Sequence, residues 1–500
     1  MPVSDSTSVA PPPPSADQRR AAAALLRSLT PEAAELGELF ARAGHELALV
    51  GGPVRDVFLG SRPGDLDLTT DAVPATVLAI TSEWADKTWT VGIEFGTIGL
   101  RKGDTIFEIT TYRSESYGPR SRKPDVRYGT SLEEDLVRRD FTINAMAARL
   151  PSYELVDPFG GLAALAEKVI RTPGRPEDSF SDDPLRILRA ARFAARLGFT
   201  VADNVVAAMR AQAPRLSIVS AERINEELTK LMVTADPAAG IDLLVRTSVA
   251  GQVLPELPAL RMEVDEHHHH KDVYEHSLTV LRQAIALEPR YGLSGDLVLR
   301  LAAILHDVGK PKTRTLLPGG KVAFHHHEMV GAKMVRKRLT ELRFGKEVVA
   351  DVSRLVELHL RFHGYGDGEW TDSAVRRYVR DAGPLLTRLH VLTRADCTTR
   401  NTRKAARLAA AYDALEARIE ALREQEELDA IRPELDGTEI MRILGLKPGP
   451  LVGKAWDHLL EVRLEEGELG RERVSQELLR WAEAEGLRAP EGPEPPDDSQ

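Results

Sequence analysis

Asp65-Leu66-Asp67 places two carboxylates one residue apart in a short apolar run. Side chains alternate along a strand, so both acids share a face while Leu66 packs behind. Like charges held this way repel unless a cation lies between them, and hard oxygen ligands beside a polyphosphate favour Mg²⁺. Glu108, in Phe107-Glu108-Ile109-Thr110-Thr111, belongs to a second β-patterned run that a neighbouring strand would set beside the pair. Three acids around two metals about 3.5–4 Å apart suit in-line phosphoryl transfer: one metal activates an attacking hydroxyl, the other steadies a leaving pyrophosphate. Upstream, Leu47–Val50 reads as a buried strand, Gly51-Gly52 follows, and Pro53-Val54-Arg55-Asp56 fits a helix start. Glycines there let backbone approach a phosphate whose charge the helix N-terminus favours.

A second constellation is rich in histidine. His276 is followed by His306-Asp307 and then Asp396, with His327 and His359 between them. Imidazole with carboxylate suits Mn, Fe, Ni, Co or Zn, and such a metal activates water against a phosphate ester. Eleven of the 14 histidines fall within residues 267–363. The runs His267–His270 and His325–His327 are internal and also read as surface clusters.

These groups need elements to hold them. The chain has 500 residues, enough for several domains, and a net charge of −10. That balance excludes a protein that coats nucleic acid indiscriminately but not one with a local basic groove. A single cysteine, Cys397, excludes a disulfide framework and a cysteine-based zinc cluster. No apolar run is long enough for a signal segment or a membrane span, so a soluble, cytoplasmic protein is expected. Residues 1–25 read as a disordered leader and 26–170 as a mixed α/β head with strands at Leu47–Val50, Leu66–Thr69, Thr97–Leu100 and Thr105–Thr111. After Pro184 helical periodicity takes over and no strand is expected. A helical neck spans 171–262, a metal-binding helical domain 263–400 and a C-terminal helical region 401–488, with a charged helix at 401–431. Residues 489–500 form an acidic tail.

Leu49-Val50-Gly51-Gly52-Pro53-Val54-Arg55-Asp56, Leu59-Gly60 and Asp65-Leu66-Asp67 resemble the first motif of class II tRNA nucleotidyltransferases and bacterial poly(A) polymerases. Arg138-Arg139-Asp140-Phe141-Thr142-Ile143-Asn144-Ala145 is similar to their second motif, and Asp157-Pro158-Phe159-Gly160-Gly161 to the next. Asp182-Asp183-Pro184-Leu185-Arg186, with Arg189, Arg192 and Phe193, resembles the nucleotide-selecting motif. Weaker similarity runs through Ala221-Glu222-Arg223. The resemblance implies a polymerase-beta-like head on a helical neck that selects CTP and then ATP without a template. Carried onto this chain, it gives Asp65, Asp67 and Glu108 as Mg²⁺-binding catalytic acids, with Gly52, Arg55 and Arg139 on the triphosphate. Asp183 and Arg186 would choose the base, supported by Arg189 and Arg192. The chemistry agrees. Three apart on an expected helix, Asp183 and Arg186 share a face, and a carboxylate beside a guanidinium matches the amine and ring acceptor of cytosine or adenine. Residues 184–202 hold Arg186, Arg189, Arg192 and Arg196 and no acid, so the helix is expected to seek an anionic partner. Asp182 departs from the glutamate usual in the family.

The histidine set, His276, His306, Asp307 and Asp396, looks like the HD phosphohydrolase superfamily, with Gly309-Lys310 and His327-x3-Gly331-Ala332 in support. Residues 113–127 carry a local excess of +3, and Tyr112, Tyr117 and Tyr128 interleave with the basic residues, which suits a primer end. Asp436–Met441 and Leu446–Gly453 resemble the C-terminal segment of HD-bearing tRNA nucleotidyltransferases. The expected activity is addition or repair of the tRNA 3′-terminal CCA. A poly(A) polymerase is the alternative within the family, against which the acidic tail and HD domain argue. The second alternative is an HD phosphohydrolase acting on nucleotides or RNA ends.

Overall fold

The computed structural model describes residues 15–62, 64–116, 125–129, 131–261, 273–318, 322–362, 370–399, 401–425 and 431–487. They form two compact units divided near Pro258.

In the first unit the β-patterned runs become one mixed sheet. Its strands are β1 (Leu47–Val50), β2 (Leu66–Thr70), β3 (Lys87–Trp89), β4 (Thr97–Lys102) and β5 (Thr105–Thr111). A separate ribbon of β6 (Arg113–Ser116) and β7 (Asp125–Tyr128) comes next, and β8 (Ala147–Leu150) and β9 (Glu154–Val156) complete the sheet. The order is β3-β4-β5-β2-β1-β8-β9. β2 and β5 run parallel, while the other neighbours are antiparallel. Because alternate residues share a face, Leu66, Leu68, Ile98, Leu100, Phe107 and Ile109 all enter the core on one side. There α2 (Pro31–Arg42) and α4 (Pro74–Thr81) cover them. α2 buries Ala33, Leu36, Gly37 and Phe40, the spacing of one helical stripe. The opposite face carries Asp67, Thr69, Glu108 and Thr110.

Residues 16–25 are not the disordered segment expected of them, and residues 1–14 lie outside the described residues. α1 (Ala16–Leu29) is a helix that buries Ala22 and Leu26, because those apolar positions have a surface to cover. α3 (Gly52–Phe58) follows β1 as its Gly-Gly-Pro start implies. α5 (Leu132–Val137) and α6 (Gly161–Glu167) complete the head. The neck is α7 (Pro176–Asp182), α8 (Leu185–Leu197), α9 (Asp203–Gln212), α10 (Ala221–Met232), α11 (Pro237–Arg246) and α12 (Ala250–Val253), with α10 and α11 packed on α8. Strands do not vanish after Pro184. β10 (Val169–Ile170) pairs with β11 (Thr200–Val201), two residues being too few to leave a periodic signal.

The second unit is built on α13 (Val273–Leu287), α14 (Leu297–Leu305), α15 (Lys310–Thr313), α16 (His327–Glu341), α17 (Lys346–Leu358), α18 (Asp372–Ala382) and α19 (Leu386–Asp396). α14 is its axis: Leu299–Leu305 are all buried, and α13, α17 and α19 pack around it. A short hairpin, β12 (Arg314–Leu316) and β13 (Val322–Phe324), precedes α16. The charged helix is α20 (Thr402–Gln425). α21 (Gly437–Leu444), α22 (Pro450–Glu466) and α23 (Arg471–Ala484) share a small core of Ile440, Leu444, Leu459, Val474 and Leu478. The turn before α21 is a capping box of Asp436 and Glu439. Among the described residues, no helix is long and apolar enough to cross a membrane.

Candidate active site

Register brings two of the three acids together. Asp67 of β2 stands directly opposite Glu108 of β5 in the parallel pair, so both project from the face away from the core. Asp65 lies just before β2 and is exposed, as is Glu108; Asp67 is half-buried. Burial raises the Asp67 pKa from 3.8 to about 6 against the pull of Arg139, and the charges of Glu108 and Asp65 push the same way. Arg189 also faces this acid. A carboxylate whose charge is so poorly compensated, among hard oxygen donors, fits a divalent cation of the Mg²⁺ type.

The arginines form a shelf that is tied down internally. Gly51 adopts a positive φ of 71°, and a Cβ there would come within 3.2 Å of the Arg139 guanidinium, so the turn and that side chain are in close approach. Arg139 is held by buried Asp135 at 3.2 Å, with Arg138 on the same carboxylate. Arg189 pairs with buried Asp140 at 2.8 Å. Burial works against charge on Asp140, yet Arg189 and the Asn144 amide hold its pKa below the ordinary value. Arg55 is only 3% exposed. It donates to Asp56 and Asn144 and lies 5.3 Å from the Phe193 ring centroid. Its place is inside the wall of the site rather than on its surface.

The stretch expected to select the nucleotide departs from the sequence reading in two ways. Asp183 is not on a helix. It occupies the break between α7 and α8 at φ −138°, ψ 101°, since the residue before a proline is pushed out of the helical region. Its Oδ1 accepts from Leu185 N–H at 3.1 Å and its Oδ2 from Arg223 at 2.8 Å. Arg186 donates to Ser179 Oγ at 2.8 Å and to the carbonyl of Arg138. The two are joined through the backbone, Arg186 N–H donating to the Asp183 carbonyl at 3.1 Å, while their side chains do not pair and are each anchored from behind. Second, the arginines of α8 are compensated by other elements. Arg192 is buried against Glu227 of α10 at 2.6 Å and stacks on Phe193, Arg189 takes Asp140, and Arg196 lies 3.7 Å from Asp56. Local charge within 184–202 could not reveal partners that only tertiary packing supplies. Tyr112 offers no stacking face either: it is fully buried and donates to Glu46 at 3.1 Å. Tyr117 and the basic residues 120–123 lie outside the described residues. Asp157 caps α6 through the Gly161 and Leu162 amides.

The histidine centre assembles at helix ends. His276 lies in α13, His306 follows α14, His327 opens α16, His359 follows α17 and Asp396 closes α19. Three imidazoles bond through Nδ1 to the carbonyl three residues earlier: His306 to Ala303 and His327 to Phe324, both at 2.9 Å, and His359 to Val356 at 2.6 Å. Ala303 and Val356 offer last-turn helix carbonyls that are otherwise short of partners, Phe324 closes β13, and in each case the bond fixes the tautomer and aims Nε2 inward. Among the described residues, the donor atoms of His276, His306 and Asp396 lie within 4.8 Å of one another, as do those of Asp307, His327 and His359. Asp307 spans both triads: Oδ2 is 3.2 Å from His306 Nε2, and Oδ1 is 3.3 Å from His327 Nε2. His327 Nε2 is buried without a hydrogen bond, as fits a donor aimed at a metal, while Asp307 Oδ2 lies 2.9 Å from the Lys310 ammonium. Burial opposes charge on His306, but Asp307 and Asp396 hold its pKa up to about 10. Burial and then His306 push His359 down to about 3. The sequence reading chose four ligands. The structure adds His327 and His359 to these as candidate donors, and their placement between the others is the available signal.

A carboxylate row on a mixed sheet, an arginine shelf and a helical neck define a nucleotidyltransferase of the polymerase-head type, joined to an HD metal domain. Family models match as Poly A polymerase head domain over residues 47–171, Probable RNA and SrmB-binding site of polymerase A over 198–260, and HD domain over 273–401. The A-adding tRNA nucleotidyltransferase of Deinococcus radiodurans is 34% identical over 87% of this chain and 95% of its own length. The CC-adding tRNA nucleotidyltransferase of Thermus thermophilus is 32% identical over 89% and 96%, and the CCA-adding enzyme of Bacillus subtilis 34% over 64% and 76%. This chain belongs to the tRNA nucleotidyltransferase and poly(A) polymerase family. The Bacillus stearothermophilus CCA-adding enzyme in complex with CTP shares the fold, with a TM-score of 0.62 at 24% identity over 92% of this chain and 98% of that one. Both the head and the HD domain are of metal-dependent types.

Proposed function

We propose that the chain adds nucleotides to the 3′ end of tRNA without a template, drawing on CTP and ATP. The row of Asp67 and Glu108, with Asp65 beside it under the arginine shelf, carries this reading. Asp65, Asp67 and Glu108 would hold Mg²⁺, which when bound supplies charge for activating the RNA hydroxyl and for the departing diphosphate. The 3′ oxygen forms its bond to the α-phosphorus as the bond to the bridging oxygen breaks, and diphosphate leaves. Arg139 and Gly52 would contact the triphosphate, a role supported by the close approach of Arg139 to the Gly51-Gly52 turn. Asp183 and Arg186, anchored from behind, present an acceptor and a donor to the base edge. Arg55, Arg189 and Arg192 support this shelf through Asn144, Asp140 and Glu227. A tRNA substrate places the work in the cytoplasm.

The two relatives matched over nearly their whole length perform different parts of the task, one adding A and the other CC. Supplying tRNAs that end before the CCA, or after its CC, with each nucleotide singly and together, reads this chain's share. Three added residues with CTP and ATP support complete CCA addition. Addition confined to A or to CC assigns the partial reaction, long A tracts support a poly(A) polymerase, and no transfer sinks the reading.

The six-ligand cluster favours a second activity. Its two triads would hold a pair of transition metals, which activate water against phosphate esters.

A further inference from the structure

Trp89 takes no part in the core, nor in the site described so far. β3 pairs with β4 so that Trp89 stands opposite Gly99, Gly99 opposite Glu108, and Glu108 opposite Asp67. One row across four strands therefore carries an indole, a bare glycine and two carboxylates, all on the face away from the core. The indole uses the missing side chain: a Cβ at position 99 would lie 2.0 Å from Trp89 Nε1 and 2.1 Å from Cε2. The ring is thus laid inward over β4, toward Glu108, rather than off the sheet edge. With strands about 4.8 Å apart, one strand spacing separates it from the Glu108 backbone. Trp89 is half-buried, and the segment that follows exposes Val91, Ile93 and Phe95. Arg113 donates to the Phe95 carbonyl and ties that segment down.

We propose that Trp89 is a stacking platform for the base at the 3′ end of the RNA primer, an inference that rests on the nucleotidyl-transfer reading. The reacting hydroxyl must sit at the carboxylates, so the base attached to that nucleotide lies a short way along the same sheet face. That base changes identity with each addition, whereas the incoming base is chosen by its edge at Asp183 and Arg186. A growing end needs a grip indifferent to sequence, and stacking on an aromatic ring supplies one because every base has a π-face.

A structural role is the competing account, since an aromatic ring often covers a sheet glycine. Trp89→Leu keeps that cover and removes the π-face; Trp89→Phe keeps both. With tRNA lacking its terminal nucleotides, Trp89→Leu is expected to raise the primer KM about tenfold, the scale of one stacked base. The nucleotide KM and the melting temperature should stay unchanged, and Trp89→Phe should recover most of the primer affinity. An unaltered primer KM, an equal rise in both variants, or a shift in the nucleotide KM instead overturns the platform. If Trp89→Leu does not fold, tryptophan emission decides: the tRNA must quench the unsubstituted chain more than Trp89→Phe, and equal quenching overturns the proposal. A native chain that adds no nucleotide at all sinks the functional reading itself, a result distinct from active variants with native primer KM.

Discussion

At Asp67 the fold holds a carboxylate where its charge is poorly supported. Its pKa, raised from 3.8 to about 6 by burial first and then by Glu108 and Asp65, means that the unfolded chain releases this proton more readily than the folded one. The group therefore costs nothing below its unfolded value and destabilises the metal-free protein as pH rises through 6, by up to about 3 kcal/mol. Asp67→Asn should accordingly raise the metal-free melting temperature at pH 7 while abolishing nucleotide addition. A lower melting temperature in calorimetry would contradict the electrostatic account. The Mg²⁺ needed for half-maximal addition should climb as pH falls through 6, because protons then compete for this ligand. Arg192 tests the opposite kind of residue. Buried on Glu227, it is expected to act through packing: Arg192→Ala should cost about 3–5 kcal/mol by leaving a buried acid unpaired. Arg192→Met with Glu227→Met should restore much of that in denaturant melts. If the double variant is as unstable as the single, the pair is not the cause.

Helix boundaries do much of the positioning. Pro184 ends α7 and keeps Asp183 extended, with Oδ1 on the first turn of α8 and Oδ2 on Arg223. Removing that constraint lets Asp183 enter a continuous helix and turn from its anchors. Pro184→Ala should therefore weaken discrimination among the four nucleotides more than it weakens overall folding. Single-nucleotide addition from CTP, ATP, UTP and GTP checks this, and a native preference pattern in the variant would refute it. The same logic runs through the HD centre, where two last-turn helix carbonyls and one at the end of β13 orient three imidazoles. His359→Ala should lower the metal content of dialysed protein while leaving the His276, His306 and Asp396 triad loaded, as elemental analysis would show. These boundaries explain what the sequence could and could not reveal. β1 is legible to the residue as a continuous apolar run between turn signals, and β5 through its apolar alternation. The three-residue spacing of Asp183 and Arg186 suggests a helix although Pro184 signals the extended backbone found, and the ion pairs of α8 depend on Glu227 and Asp140, far along the chain.

The whole molecule carries two candidate metal centres in separate compact units, the carboxylate row before residue 258 and the histidine-aspartate cluster after it. Ordered motifs made the division readable from sequence, since each centre draws its ligands from one contiguous stretch. The part of His327 and His359 is harder to read from sequence, because a lone histidine is ambiguous until the fold aims its Nε2. The two centres use different ligand chemistry, oxygen alone in the head and mixed nitrogen and oxygen in the HD domain, so they should differ in metal and respond separately to substitution. Asp65→Ala is expected to abolish nucleotide addition to tRNA while sparing any phosphatase activity toward a generic phosphate ester. Asp307→Ala should do the reverse, since Asp307 touches both triads and its loss disables each. Both variants should keep the native melting profile of the unit left unaltered. If Asp65→Ala leaves addition intact, the carboxylate row is not the transfer site. If Asp307→Ala stops addition as well, the two centres are coupled, and separate function in the two units fails as an account of the molecule.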